Sequence, residues 1–506
     1  MPEPADIHAL LERGGGRDIA IAAPEREPLT YGGLRDQVGR AGAALGKAGI
    51  GAGDRVAIVL PNGPEMAACF LATAAYATAA PLNPAYRVDE FAFYLEDLRA
   101  KALILEAGTG GAAVEAAERV GVPIIGLAPE AGAGAGTFTL DIPSSVAGRG
   151  NGDDRDDAAL VLHTSGTTSR PKIVPLSGAN LCASAGNIAG WLSLEPGDRC
   201  LNIMPLFHIH GLMAGVMASL HAGATVICTP GFNALRVFAW LDETAPTWLT
   251  AVPTMHQAIL ARAARNREIV TRRRLRLLRS SSSSLPAPVM GELEAAFDAP
   301  VIESYGMTEA SHQMTSNPLP PAERRPGGVG LAAGPEVAIM DEAGTLQPPG
   351  TEGEVVIRGA NVTRGYENNP EANRAAFSDG WFRTGDQGVM DAAGYLTLTG
   401  RLKEIINRGG EKIAPREVDD VLMAHPAVAQ AVAFALPHPK LGEDVAAVIV
   451  LREGADAGER ELRAFAAESL ADFKVPRTIL FRDEIPKGAT GKLQRIGLAE
   501  KLGLAP

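Results

Sequence analysis

From Thr30 to about Thr250, strand-length apolar runs alternate with segments whose apolar residues recur at helical spacing, and this alternation restricts the fold more than any other feature. Thr30 stands as an N-cap ahead of Leu34, Val38, Ala41 and Leu45, which share one helix face, and Gly49 ends the run. Val56 to Leu60 is apolar throughout and predicts a buried strand. Pro61 and Asn62 then open a second helical stretch through Met66, Phe70 and Leu71. Repeated strand–helix units predict an α/β fold with substantial parallel sheet. Between Gly327 and Leu398 the pattern changes to short strands, Glu354 to Arg358 and Tyr395 to Thr399, set among Gly, Pro and Asn turns, so a mostly β subdomain is expected. Past Gly400 the order is helix (Glu417 to Met423), strand (Ala431 to Leu436), strand (Val445 to Leu451), helix (Glu461 to Leu470) and a short strand. At 506 residues one core is not enough. Residues 1–400 are read as a large N-terminal α/β domain with parallel sheets plus the β subdomain, and 401–506 as a small C-terminal α+β domain.

A formal net charge of −12 argues against a partner bound through its nucleic-acid backbone, which needs clustered Lys and Arg. Anionic ligands must therefore meet local positive sites. The four cysteines, Cys69, Cys182, Cys200 and Cys228, show no Cys-x-x-Cys spacing, so neither a zinc site nor a disulfide framework is indicated, and a reducing, cytoplasmic setting fits. Met1 to Leu10 carries Glu3 and Asp6 and lacks the pattern of a secretory signal, and no apolar run is long enough to predict a membrane span. The Gly- and Ala-rich segment 107–136 reads as a surface connection. The basic run Arg272, Arg273, Arg274, Arg276 and Arg279 reads as a solvated face in preference to a phosphate patch.

Ala158 to His163 is apolar and of strand length, and it opens into T-S-G-T-T-S-R-P-K at 164–172. Hydroxyls on Thr164, Ser165, Thr167 and Thr168, backbone N–H groups exposed around Gly166, and the Lys172 ammonium can wrap a polyphosphate. The same segment also fits an ordinary polar turn ahead of a helix capped by Ser177. Pro171 before the lysine excludes a Walker loop.

Further segments follow in order: P-L-F-H-I-H-G at 205–211, Y-G-M-T-E at 305–309, W-F-R-T-G-D at 381–386, G-R-L-K-E at 400–404 and P-K-G-A-T-G-K at 486–492. Together with the hydroxyl-rich loop they resemble the signatures of the adenylate-forming superfamily, which includes acyl-CoA synthetases, luciferases and peptide-synthetase adenylation domains. The resemblance implies that a carboxylic acid is activated with ATP as an acyl-adenylate and passed to coenzyme A, with Mg²⁺ assisting. It implies that Thr308 and Glu309 face the phosphates and the metal, Glu309 offering a hard carboxylate oxygen. Tyr305 would lie against adenine, Asp386 would accept from the ribose hydroxyls, and Arg401 would contact the nucleotide. Lys492 would bridge the substrate carboxylate and the α-phosphate. Lys403 would be the hinge about which a mobile C-terminal domain turns between half-reactions, exchanging Lys492 for the Gly409–Gly410 loop.

Within the superfamily, Ser169–Arg170, the segment 305–318 and N-R-G-G-E-K-I at 407–413 are similar to oxalyl-CoA synthetases. The residues agree in kind: His208, the serines Ser280 to Ser284 with Ser282 at their centre, and His312 would make a polar acyl pocket able to hold a second carboxylate. Oxalate is the acid expected, with malonate or another short acid, or a silent adenylate-binding protein, as the other readings. Ile173 departs from the superfamily's usual glycine after the loop lysine, so the end of the loop is expected to differ.

Overall fold

The computed structural model describes residues 4–146, 157–164, 171–488 and 493–504. Two largely parallel sheets dominate the first two-thirds of the chain. The first has seven strands in the order Phe138–Asp141, Ile124–Pro129, Ala102–Glu106, Arg55–Val59, Thr78–Pro81, Ala158–Thr164, Lys172–Ser177. Its inner pairs are parallel and its two outermost pairs antiparallel. The second has nine strands, with Arg199–Asn202, Trp248–Ala251, Leu277–Ser281 and Val301–Met307 forming its parallel centre.

Local chemistry accounts for the crossovers between these strands. The Thr30 side chain accepts from the Gly33 N–H at 3.2 Å and opens helix Tyr31–Lys47, whose Leu34, Val38, Ala41 and Leu45 are all buried. Gly49 follows with φ of 75°, where a side chain would be strained. Helix Pro64–Tyr76 starts on a proline and is apolar on nearly every side, because it lies inside the main core rather than on its surface.

Segment 107–136 is not merely a surface connection. Helix Ala112–Val120 packs Ala113, Ala116 and Ala117 inward, and strand Ile124–Pro129 extends the seven-stranded sheet. Alanines hide the amphipathic period of this helix because its buried face is made of side chains that composition alone treats as neutral.

Five antiparallel strands, Glu336–Met340, Glu352–Arg358, Phe377–Ser378, Trp381–Met390 and Leu396–Arg401, build the expected β subdomain. A separate five-stranded sheet follows, in which Val428–His438 and Gly442–Leu451 form a long antiparallel pair and Thr478–Phe481 adds in parallel. Helices Pro415–Met423 and Glu459–Ala467 pack Val418, Leu422, Leu462 and Ala466 into this sheet's own core. Among the described residues, no helix is long and apolar enough to cross a membrane. The four cysteines are buried thiols, none of them in a disulfide.

Candidate functional site

The C-terminal ends of parallel strands carry the chemistry. Strand Val301–Met307 contributes Tyr305 and runs into the single turn Thr308–Ala310, which presents Thr308 and Glu309. Across from it, Asp386 on Trp381–Met390 is in register with Arg401 on Leu396–Arg401. The buried Asp386 carboxylate takes a hydrogen bond from the Tyr305 hydroxyl at 2.5 Å and another from Arg401 Nε at 2.7 Å. Asp386 holds the Arg401 guanidinium above its ordinary range, and burial with the neighbouring Asp386 charge raises the Tyr305 hydroxyl.

A second cluster lies around Lys172, at the start of strand Lys172–Ser177. Glu309 Oε1 accepts from the Tyr366 hydroxyl at 2.8 Å, and Lys172 Nζ stands 4.1 Å from the centre of the same ring. Burial pushes the Glu309 carboxyl up, while Tyr366 and Lys172 pull the other way. Burial and the charge of Lys403 depress the Lys172 ammonium, and Glu309 opposes them. Thr164 pairs with Lys172 in register at the ends of their strands. Lys403 is exposed in the turn between Leu396–Arg401 and Ile406–Arg408, two residues beyond the strand end. Ser165, Gly166, Thr167, Thr168 and Lys492 lie outside the described residues. Ile173 sits in strand Lys172–Ser177, paired with His163 and buried, and is not among the residues with positive φ. Its backbone is ordinary β structure that a β-branched residue favours.

Strand Leu277–Ser281 ends at Ser282, whose φ of 74° turns the chain out of the sheet. A non-glycine residue in that region stores strain that the surrounding structure must hold in place. His312 is likewise at positive φ, 100°, and is buried. The ring of His210 stacks on that of His312 with centroids 4.8 Å apart. His210 Nδ1 lies 3.0 Å from Ser282 Oγ, and its Nε2 lies 2.6 Å from Thr250 Oγ1. His208 is half-buried, and its Nδ1 accepts from the His210 backbone N–H at 3.3 Å. Behind the histidines lies Arg279, fully buried, which corrects the reading of its basic run as a solvated face. Arg272, Arg273 and Arg276 do pair with Asp242 and Asp198 at or near the surface. Arg279 differs because its strand has neighbours on both edges and its side chain is enclosed within the second sheet's packing.

Ser282, Tyr305, Asp386 and Arg401 line one cavity of about 340 Å³, which Arg416, Asp419 and Arg495 close from the C-terminal side. His210, Arg279, Thr250, Gln313 and Tyr366 were not singled out as site residues from sequence. The second histidine of P-L-F-H-I-H-G was a usable signal for His210, and the apolar Leu277–Leu278 before Arg279 marked it as a strand residue. Nothing local to Thr250 or Gln313 marks either.

Residues 11–367 match the family model described as AMP-binding enzyme, and 417–492 match the AMP-binding enzyme C-terminal domain. The chain belongs to the AMP-binding, adenylate-forming enzymes. Its resemblance extends to an oxalate–CoA ligase of Arabidopsis thaliana, 46% identical with 94% of each chain covered. An oxalate–CoA ligase of Saccharomyces cerevisiae is 42% identical, covering 88% of this chain and 86% of that one. The crystal structure of ATP-bound MatB from Rhodopseudomonas palustris superposes with a TM-score of 0.87 at 30% identity, over 98% of this chain and 99% of that one. This adenylate-forming enzyme is an acid–CoA ligase, using a carboxylic acid, ATP and CoA.

Proposed function

We propose that the acid is oxalate, which the enzyme joins to AMP with loss of pyrophosphate and then transfers to the thiol of CoA with release of AMP. The observation that carries this reading is Ser282 on the cavity wall, backed by His210, whose ring stacks on that of His312 before a buried arginine. Such a pocket offers donors and positive charge where a fatty chain would need apolar walls. The two relatives named oxalate–CoA ligases support the same choice.

In this reading Tyr305 lies against adenine, Asp386 accepts from the ribose hydroxyls, and Arg401 steadies Asp386 and the nucleotide. Thr164, Lys172 and the loop residues Ser165, Gly166, Thr167 and Thr168 surround the phosphates, with Thr308 donating to them. A carboxylate attacks phosphorus only when the negative charge on both partners is offset, and Lys492 brings them together. Among the described residues no group of three or more His, Cys, Asp or Glu could hold a metal alone. Glu309 therefore fits Mg²⁺ as the single protein carboxylate of an ion that arrives with the phosphates, as this small cation is commonly held. Bound there, Mg²⁺ would neutralise charge on the phosphate oxygens. Lys403 is the hinge of the C-terminal unit from 401 onward. Polar contacts such as Gln257 to the Ala429 carbonyl and Arg452 to Glu292 join that unit to the rest, and water can replace them when it turns.

Ser282→Ala and His312→Ala test the acyl pocket. Either should lower oxalate efficiency about tenfold to hundredfold by leaving a carboxylate oxygen unpaired in a closed site, and leave acetate nearly unaffected. Equal losses for oxalate, malonate and acetate would show that the pocket lies elsewhere.

A further inference from the structure

Arg279 is 0% exposed, and among the described residues it has no carboxylate within ion-pair distance. All of its acceptors are neutral groups. Nη1 reaches His312 Nε2 at 3.1 Å, His210 Nε2 at 3.4 Å and Thr250 Oγ1 at 3.5 Å, and Nη2 donates to Gln313 Oε1 at 3.1 Å. Its Nε has no partner among the described residues. The nearby Cys200 thiol is raised well above its usual range by burial and supplies no negative charge. Burial depresses the Arg279 guanidinium to about 9, which still leaves it charged at neutral pH.

A buried cation without an anion is a costly arrangement that proteins normally avoid by pairing it. The geometry also fixes the direction of the neighbouring hydrogen bonds. A guanidinium donates only, so the Nε2 atoms of His210 and His312 that face it must be acceptors, and the protons of both neutral rings sit on Nδ1. His210 Nδ1–H then donates to Ser282 Oγ at 3.0 Å. With its oxygen occupied as an acceptor, the Ser282 hydroxyl directs its own proton away from His210, and Ser282 lines the cavity.

We propose that Arg279 is a specificity-determining positioning residue: it never touches the acid, but through His210 and His312 it makes the pocket select acids with a second negative group beside the reacting carboxylate. The inference rests on the oxalate reading and deepens it. Arg279 supplies the charge, the histidines fix the orientation of the donor, and Ser282 presents it. The missing counter-charge of the buried guanidinium is the distal carboxylate of the substrate.

The test compares oxalate with oxamate, which keeps the reacting carboxylate and replaces the distal one by a neutral amide. Gln313→Glu places a carboxylate against Arg279 Nη2 while leaving the arginine in place. It should lower kcat/KM for oxalate about tenfold to hundredfold, chiefly through KM, and leave oxamate unchanged. Its melting temperature should stay level or rise, since the buried cation gains a partner. Arg279→Met should shift the oxalate-to-oxamate ratio in the same direction, and Arg279→Lys should restore part of it. If Arg279→Met does not fold, Gln313→Glu decides alone. A ratio that Gln313→Glu leaves intact, or equal losses for both acids, overturns the inference. A wild type that prefers malonate to oxalate overturns the substrate reading instead, and Arg279 is then judged on malonate against its monoamide by the same ratio.

Discussion

On the Asp386 side of the site the buried carboxylate meets a cation of the protein, whereas on the Arg279 side the buried cation meets no carboxylate among the described residues. Asp386 is met by Arg401 and Tyr305, and Glu309 by Tyr366. Among the described residues, Arg279 is met only by imidazoles, a hydroxyl and an amide. The two ends therefore serve ligands differently. Paired groups hold their geometry before a ligand arrives, at a small loss of attraction for it. An unpaired buried charge keeps its full attraction, and the fold bears the cost until the anion binds. The first arrangement suits a nucleotide whose shape is recognised at many points, and the second suits a very small dianion that offers few.

The contrast breaks most visibly at Asp386. Asp386→Ala removes the common acceptor of Arg401 and Tyr305 and should lower efficiency for ATP by about a hundredfold or more, the scale set by breaking a buried charge pair. Arg401 is about half exposed and can recover water, so the stability loss should be only about 1–2 kcal/mol. Steady-state kinetics and urea midpoints read the two quantities. An ATP dependence close to wild type would mean that this cluster only supports the fold.

Lys403→Pro sharpens the comparison by separating the half-reactions. Proline fixes φ at a residue that must change its backbone if the C-terminal unit turns. Pyrophosphate exchange with oxalate should persist, while thioester formation falls on the order of a hundredfold, the size of effect that misplacing a reacting group produces. Normal acyl-CoA formation by this variant would remove the hinge.

An effect on stability alone, with no change in catalysis required, concerns a third buried group on the cavity wall, Glu303. Glu303 Oε1 accepts from the Leu285 N–H at 2.9 Å, its Oε2 has no partner among the described residues, and burial pushes the carboxyl up to about 7. Arg416 pulls against this shift and Asp420 adds to it. Because the folded pKa lies above the unfolded one, the folded state binds the proton more tightly. Stability is therefore lost as pH rises from about 4.5 through about 7, by roughly 3 kcal/mol in all, and changes no further above that from this group. Glu303→Gln cannot ionise, so its denaturation midpoint should gain on wild type between pH 5 and pH 8. A difference that does not change with pH would contradict the assignment.

The same contrast explains what could be read from the sequence. The paired end was legible because its members sit in contiguous motifs, Y-G-M-T-E, W-F-R-T-G-D and G-R-L-K-E, whose residue types already suggest phosphate and ribose chemistry. The sheet architecture was legible for a similar reason, since Leu34, Val38, Ala41 and Leu45 announce a buried helix face. Arg279 was not, because a run of arginines is solvated on average, and only its place in an inner strand separates it from Arg272 and Arg276. Thr250, His210 and Gln313 reach it from other parts of the chain, so their convergence exists only once the sheet has formed. The helix Ala112–Val120 escaped because alanine carries little apolar contrast against its glycine-rich flanks.

The most direct measurement is the CoA-dependent release of AMP by the wild-type enzyme with oxalate, malonate and acetate, each taken to a full kcat/KM and accompanied by ATP–pyrophosphate exchange. An unpaired cation behind a polar pocket predicts acid-dependent exchange with all acids that are used, and an efficiency for oxalate well above malonate and far above acetate. Malonate preferred over oxalate, or acetate used as well as either, would contradict the account of the acyl end, and exchange that no acid stimulates would contradict the proposed adenylation itself.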